Sequence, residues 1–152
     1  MHAASAIAIN PESRARAVAF LDEDRSRERG GFLIGRLPAQ PRGVTRIERV
    51  VPCPDAPSTA YSLTFRAEEW QLVHADAAIR SGDAQIVGWF HSHPDMPVRM
   101  SAQDRFIQRN FFSHPGHVAW IRDPIGGSEA FWVLREDGSM VALEASSEER
   151  AA

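Results

Sequence analysis

The sequence predicts a single α+β domain with a largely antiparallel central sheet flanked by helices. Three observations carry that prediction. At 152 residues, 43% apolar and 24% charged, the chain has the composition of one ordered globular domain, long enough to bury roughly two-thirds of its unfolded surface. Its apolar segments are strand-length runs mixed with helical stripes, without a linker or an internal repeat. Asp137-Gly138 supplies a tight-turn signal between two late apolar runs, as antiparallel neighbours require.

Pro11 opens a helix that runs to about Asp24, with Ala15, Val18, Ala19 and Leu21 at helical spacing among charges. Gly30-Gly31 breaks that pattern. Residues 32–35 read as a short buried strand and 44–51 as a second, joined through a Pro- and Gly-bearing turn region over 37–43. Residues 52–57 form a loop, 61–65 alternate as a strand, and 67–80 carry a helical stripe through Trp70, Val73, Ala77 and Ala78 that Ser81-Gly82-Asp83 closes. A strand over 85–90 follows, then a Pro-bearing loop and a helix from Ser101 to about Phe112. Two more strands are expected over 118–121 and 131–134, with Gly126-Gly127 between them, and a last one near 139–143. The tail over 145–152 is rich in Ala, Ser and Glu and is expected to fray. Trp70, Trp89, Trp120 and Trp132 each fall on a core-facing period.

Charge and composition exclude several function classes. A formal net charge of −3 and a pI of about 6.1 provide no basic field for a phosphate backbone, so nucleic acid is not an expected partner. No apolar run is long enough to span a membrane. The N-terminal residues lack a basic region and are interrupted by Asn10 and Pro11, so no signal peptide is expected. The single cysteine, Cys53, rules out an internal disulfide and a thiolate-rich metal site. A reducing, cytoplasmic setting fits these features.

The chemistry lies in His91-Ser92-His93-Pro94 and in Ser101-Ala102-Gln103-Asp104. Histidines at i and i+2 on a strand point to one face, because side chains alternate with a period of two. Asp104 falls in the first turn of the following helix, free to reach back. Two imidazoles and a carboxylate are three protein ligands for Zn²⁺, with a fourth position left for water, the set used by hydrolytic rather than structural zinc sites. Each half also has a plainer reading: Ser-x-x-Asp is a helix capping box in outline, and a lone His-x-His is commonly a polar strand end. Both plain readings would have to coincide at this spacing. His114-Pro115-Gly116-His117 offers two more imidazoles across a turn but no matching carboxylate, and His74 lies mid-helix. A zinc hydrolase also needs a carboxylate to carry a proton from water to the leaving group. From the residues alone, Glu28, Glu68, Asp95 and Asp123 are all candidates.

These motifs resemble the JAMM (JAB, MPN+) zinc metalloprotease family, in which a Glu ahead of a Gly-containing apolar strand is followed by His-x-His-Pro and Ser-x-x-Asp. Here the corresponding segments are Glu28-Arg29-Gly30-Gly31-Phe32-Leu33-Ile34-Gly35, His91-Ser92-His93-Pro94 and Ser101-Ala102-Gln103-Asp104, with Asp123-Pro124 closing a later strand as is common in the family. The resemblance implies an MPN/JAB-like domain over 1–144 with cytidine-deaminase-like layering. It implies one zinc ion on His91, His93 and Asp104, Glu28 as general base and then acid, and Ser101 as a hydrogen-bond donor to the oxyanion. The activity implied is cleavage after the C-terminal glycine of a ubiquitin-like protein, in deconjugation or precursor maturation, in company with the activating (E1-like) and conjugating (E2-like) enzymes of one bacterial operon. Processing of a sulfur-carrier protein is an alternative setting. The loops over 52–60 and 113–127 are short, which favours a ubiquitin-like substrate over ubiquitin itself. A non-catalytic MPN scaffold usually lacks one or more ligands, and none is missing here. A zinc deaminase needs a Cys-x-x-Cys pair, which one cysteine excludes.

Overall fold

The computed structural model describes residues 2–148. In chain order its elements are β1 (Ala4–Ile9), α1 (Pro11–Asp22), β2 (Gly30–Arg36), β3 (Gly43–Pro52), β4 (Ser58–Thr59), β5 (Ser62–Leu63), α2 (Ala67–His74), α3 (Ala77–Ser81), β6 (Gln85–Ser92), α4 (Ala102–Phe111), β7 (Val118–Arg122), β8 (Glu129–Leu134), β9 (Met140–Leu143) and β10 (Ala145–Ser147). Eight strands make one mixed sheet in the order β10-β1-β3-β2-β6-β7-β8-β9. The pairs β2/β3, β2/β6, β7/β8 and β8/β9 are antiparallel, whereas β1/β10, β1/β3 and β6/β7 are parallel. This is the α+β class expected, with a mostly antiparallel sheet and helices on both faces. No helix among the described residues is long and apolar enough to cross a membrane.

One face of the sheet packs Ile9, Leu33, Ile47, Phe90, Val118 and Trp120 against Ala17, Phe20 and Leu21 of α1. The other packs Phe32, Ile34, Trp89, Ala119 and Ile121 against Val73 of α2, Ile107 of α4 and Phe112 just past its end. Alternation along β2 sends Leu33 to the first core and its neighbours Phe32 and Ile34 to the second, the period-two logic of a strand buried on both faces. Asn10 caps α1 by accepting the Ser13 N–H at 3.0 Å, and Pro11 occupies the first helical turn, where its missing N–H costs nothing.

Several expectations are corrected. Gly30-Gly31 does not break the chain before a strand but begins β2. A Cβ on Gly30 would lie 2.2 Å from the Phe90 carbonyl oxygen and 3.0 Å from His91 Cβ, so glycine is what lets β2 approach β6 here. The helix expected over 67–80 is two helices. Asp76 breaks it by capping α3, accepting from the Ala78 and Ile79 N–H groups at 3.0 and 3.2 Å while pairing with both terminal nitrogens of Arg49. The strand over 61–65 shrinks to β5 in a small hairpin with β4, and Phe65 instead stacks on Phe32 at 4.6 Å.

The N-terminal Ala-Ile-Ala-Ile run, too weakly apolar to be read as an element, is β1, held by parallel pairing to β3. Ala145–Ser147, expected to fray, forms β10 on the other side of β1; residues 149–152 of that tail lie outside the described residues. Only Glu144 separates β9 from β10, so one run of chain pairs with β8 through its first half and with β1 through its second. That run brings the two ends of the curled sheet together. Of the four tryptophans, Trp89 and Trp120 are fully buried, while Trp70 and Trp132 are part-buried at the border of the second core.

Candidate metal centre

The site forms where β6 ends. His91 is the last-but-one residue of β6, set opposite Gly30 of β2 and Ile121 of β7, and it points to the same face as Trp89. His93 lies just past the strand, where its N–H donates to the Arg122 carbonyl at 2.8 Å. Beyond Pro94 the chain turns sharply: Asp95 takes a left-handed φ of 53°, and its N–H donates to Asp123 Oδ1 at 2.9 Å. The turn carries the Pro97 carbonyl to 2.9 Å from His93 Nδ1. A carbonyl only accepts, so Nδ1 carries the hydrogen and Nε2 presents its lone pair to the cluster.

Asp104 arrives from α4. Ser101 is the N-cap, its Oγ accepting the Asp104 N–H at 3.0 Å while its own N–H donates to Asp104 Oδ2 at 2.9 Å. The plainer capping-box reading of this motif is therefore correct, and it is also what aims the carboxylate. Asp104 Oδ1 lies 3.1 Å from His91 Nε2, Asp104 Oδ2 lies 3.0 Å from His93 Nε2, and the two Nε2 atoms are 3.0 Å apart. Glu28, two residues before β2, completes the group: ligand atoms of Glu28, His91, His93 and Asp104 all lie within 4.8 Å of one another, and all four residues are buried.

This donor set fits a metal ion. Tetrahedral zinc with bonds of about 2.0–2.2 Å spaces its ligand atoms about 3.3–3.6 Å apart, a few tenths of an ångström wider than the three separations here. Glu28 Oε1 is buried without a hydrogen-bond partner, which a carboxylate tolerates poorly unless a cation or a proton is at hand. Three ligand atoms converge, and a fourth group stands beside them.

A sequence model described as prokaryotic homologs of the JAB domain matches residues 11–134. The chain belongs to this family. Among solved structures it is similar to the solution structure of protein DSY2949 from Desulfitobacterium hafniense, with a TM-score of 0.70 and 22% identity over 95% of this chain and 94% of that one. That likeness shows the fold. No curated protein matches the sequence. The buried His-His-Asp-Glu group of this JAB domain fits a JAMM-like metal site.

Its electrostatics favour positive charge at the centre. Burial works to raise the Asp104 pKa, but His91 and His93 overcome it and hold the carboxylate well below its ordinary range. Burial lowers His91. It acts the same way on His93, but the Asp104 carboxylate and the Pro97 carbonyl prevail and raise that imidazole. Glu28 is pushed up to about 8, chiefly by burial, with His93 opposing and Asp104 adding to the rise. A carboxyl in that position can hold or release a proton near neutral pH.

The other acids lie elsewhere. Glu68 and Asp95 are exposed, and the Asp123 carboxylate accepts the N–H groups of Asp95 and Ile125, which ties the loop after the histidines to the loop after β7. His114 and His117 form a loop pair outside the cluster, and His74 is exposed beside Trp70. Sequence reasoning missed three supporting residues: Trp89, stacked on His91; Gln108, bonded to Trp89; and Ser92, bonded to the backbone of Arg29. Their only signal is position: Trp89 shares the histidines' face of β6, Ser92 alternates with them, and Gln108 faces Trp89 from α4.

Proposed function

We propose that this JAB domain is a zinc-dependent isopeptidase or peptidase that cuts after the C-terminal glycine of a ubiquitin-like protein, in deconjugation or precursor maturation. The observation that carries the reading is Glu28 Oε1, buried without a partner, beside three converging ligand atoms. His91, His93 and Asp104 would hold the ion. Zinc supplies a Lewis acid that polarises a carbonyl and makes water nucleophilic near neutral pH. Glu28 takes a proton at its carboxylate and passes it to the leaving amine. Ser101 Oγ is already engaged as an acceptor from the Asp104 N–H, which leaves its O–H hydrogen to donate to the oxygen that becomes negative in the transition state. The extended tail of a ubiquitin-like protein would add as a strand beside the site, near the β4–β5 hairpin, whose Thr59 carbonyl accepts the Glu28 N–H at 2.8 Å. The biological setting that fits is cytoplasmic, with E1-like and E2-like enzymes as neighbours.

The test begins with metal per chain on purified protein, wild type beside His91→Ala. About one zinc in the wild type and none in the variant, followed by release of the C-terminal partner from a ubiquitin-like fusion, is the expected result. Absence of zinc from the wild type after zinc is supplied would return the motif to a strand end and a capping box.

A further inference from the structure

We propose that Ser92 is a positioning residue for Glu28, its buried hydroxyl bridging β2 and β6 at the point where the two strands part. The inference rests on the reading of Glu28 as the proton carrier. β2 and β6 pair in antiparallel register as far as Gly30 opposite His91. The next pair in that register is Arg29 with Ser92, and a regular ladder would exchange two backbone hydrogen bonds between them. Only one forms: Ser92 N–H donates to the Arg29 carbonyl at 2.9 Å. Arg29 N–H donates to Ser92 Oγ at 2.9 Å instead of to the Ser92 carbonyl.

On the other side of β6, His93 N–H donates to the Arg122 carbonyl of β7 at 2.8 Å, so the parallel ladder to β7 continues past Ser92. Glu28 has meanwhile left the sheet, its N–H donating to Thr59 of the β4–β5 hairpin at 2.8 Å. The next pair in the register is Glu28 with His93, whose N–H groups point away from each other and whose side chains both join the cluster. The Ser92 hydroxyl spans the width that the backbone carbonyl does not. Ser92 is fully buried, so no water replaces it there. On the opposite side the Arg29 guanidinium lies 3.9 Å above the Phe20 ring and pairs with Glu23 at 3.3 Å, a second hold on the same residue. Arg29 is thus pinned by backbone and side chain, and Glu28 follows it by one peptide bond.

The experiment uses the zinc-loaded full chain with Ser92→Ala and Ser92→Thr, and reads amide hydrogen exchange at Arg29, zinc per chain, and turnover of a fusion in which a ubiquitin-like protein ending in Gly-Gly precedes a fluorescent protein. Ser92→Ala is expected to speed exchange at Arg29 by on the order of 10–100-fold, since the acceptor that the N–H uses in the structure is removed. Zinc content stays at the wild-type value, kcat falls about tenfold or more with little change in KM, and Ser92→Thr restores both exchange and kcat. In the Glu28→Gln background Ser92→Ala costs nothing further, because the residue acts through Glu28. Unchanged exchange at Arg29, or a full additive loss in the Glu28→Gln background, overturns the proposal. If Ser92→Ala does not fold, Ser92→Cys keeps the volume with a weaker acceptor and is judged by the same readings. A wild-type protein that leaves the fusion intact defeats the proteolytic reading, and exchange at Arg29 then decides the Ser92 clamp on its own.

Discussion

Trp89 lies flat against the imidazole of His91, with ring centroids 4.3 Å apart and planes 6° from parallel. The same indole lies nearly parallel to Phe112, 5.8 Å away, and its Nε1–H donates to Gln108 Oε1 at 2.8 Å. Gln108 in turn donates to the Phe112 carbonyl at the end of α4. His91 Nδ1 is buried without a hydrogen-bond partner. Ligand imidazoles are mostly oriented by a hydrogen bond at the second nitrogen; His91 is instead held by a ring stack braced against α4.

Replacing Trp89 by Leu should therefore weaken metal binding as well as the fold. Zinc affinity is expected to fall about 10–100-fold, the usual cost of losing an outer support of a ligand, and stability by about 3 kcal/mol from the lost core volume. Trp89→Phe keeps a ring on His91 but loses the bond to Gln108, so it should lie between. Zinc competition titration run beside thermal unfolding separates the two effects. Wild-type affinity in a destabilised Trp89→Leu protein would show that the stack packs the core and nothing more.

Glu28→Gln should keep zinc at about one per chain and lose cleavage by on the order of 10²–10⁴-fold, because the amide fills the same space but carries no proton. Metal analysis and turnover on the ubiquitin-like fusion check this together. Turnover at the wild-type rate would remove Glu28 from the reaction.

The parts legible in the sequence are those where local pattern and tertiary demand agree. Pro11 with its apolar stripe, the β6 run, and Ser101 opening α4 each state in their own neighbourhood what the fold uses. The histidines and Asp104 were legible because strand alternation and helix capping fix their directions before any tertiary contact forms. Glu28 was not legible from spacing: it sits far from the histidines in the chain, and only the register of β2 on β6 brings it near, so the family resemblance had to single it out. β1 and β10 were missed for a related reason. Their short Ala- and Ser-rich runs gain most of their stability from ladder bonds to strands remote in sequence. The break at Asp76 rests on a local cap from the Ala78 and Ile79 N–H groups, which the continuous apolar stripe through Trp70, Val73, Ala77 and Ala78 masked.

Ser101→Ala should show two separable losses. The cap to Asp104 N–H disappears, at a cost of about 1 kcal/mol of stability, and the donor to the oxyanion disappears, at a cost of about 10²–10³ in rate. Ser101→Thr keeps the hydroxyl and should recover most of both. Thermal unfolding and kcat measured on the three proteins decide between the roles. A stability loss with kcat intact would leave Ser101 as a cap alone.

His117 gives the fold a pH dependence of its own. The residue is buried, and its Nδ1 accepts the His114 N–H at 3.3 Å, which requires an unprotonated nitrogen. Burial pushes its pKa down to about 4, against a pull upward from the Phe112 backbone and with His114 adding to the fall. The unfolded chain takes up this proton near the ordinary histidine value of about 6.5. Between about 6.5 and 4 the unfolded state therefore binds more protons than the folded one, so the contribution is complete above that window and shrinks as the pH drops through it. One such group changes stability by at most about 1.4 kcal/mol per pH unit inside the window. His117→Asn cannot take up the proton, so its denaturant midpoint should fall less steeply than the wild type's from pH 6.5 to 4.5, while the two run parallel above pH 7. Equal slopes across the acid window would mean that the folded protein accepts the proton at His117 as readily as the unfolded chain does, and that the loop over 113–117 opens to admit it.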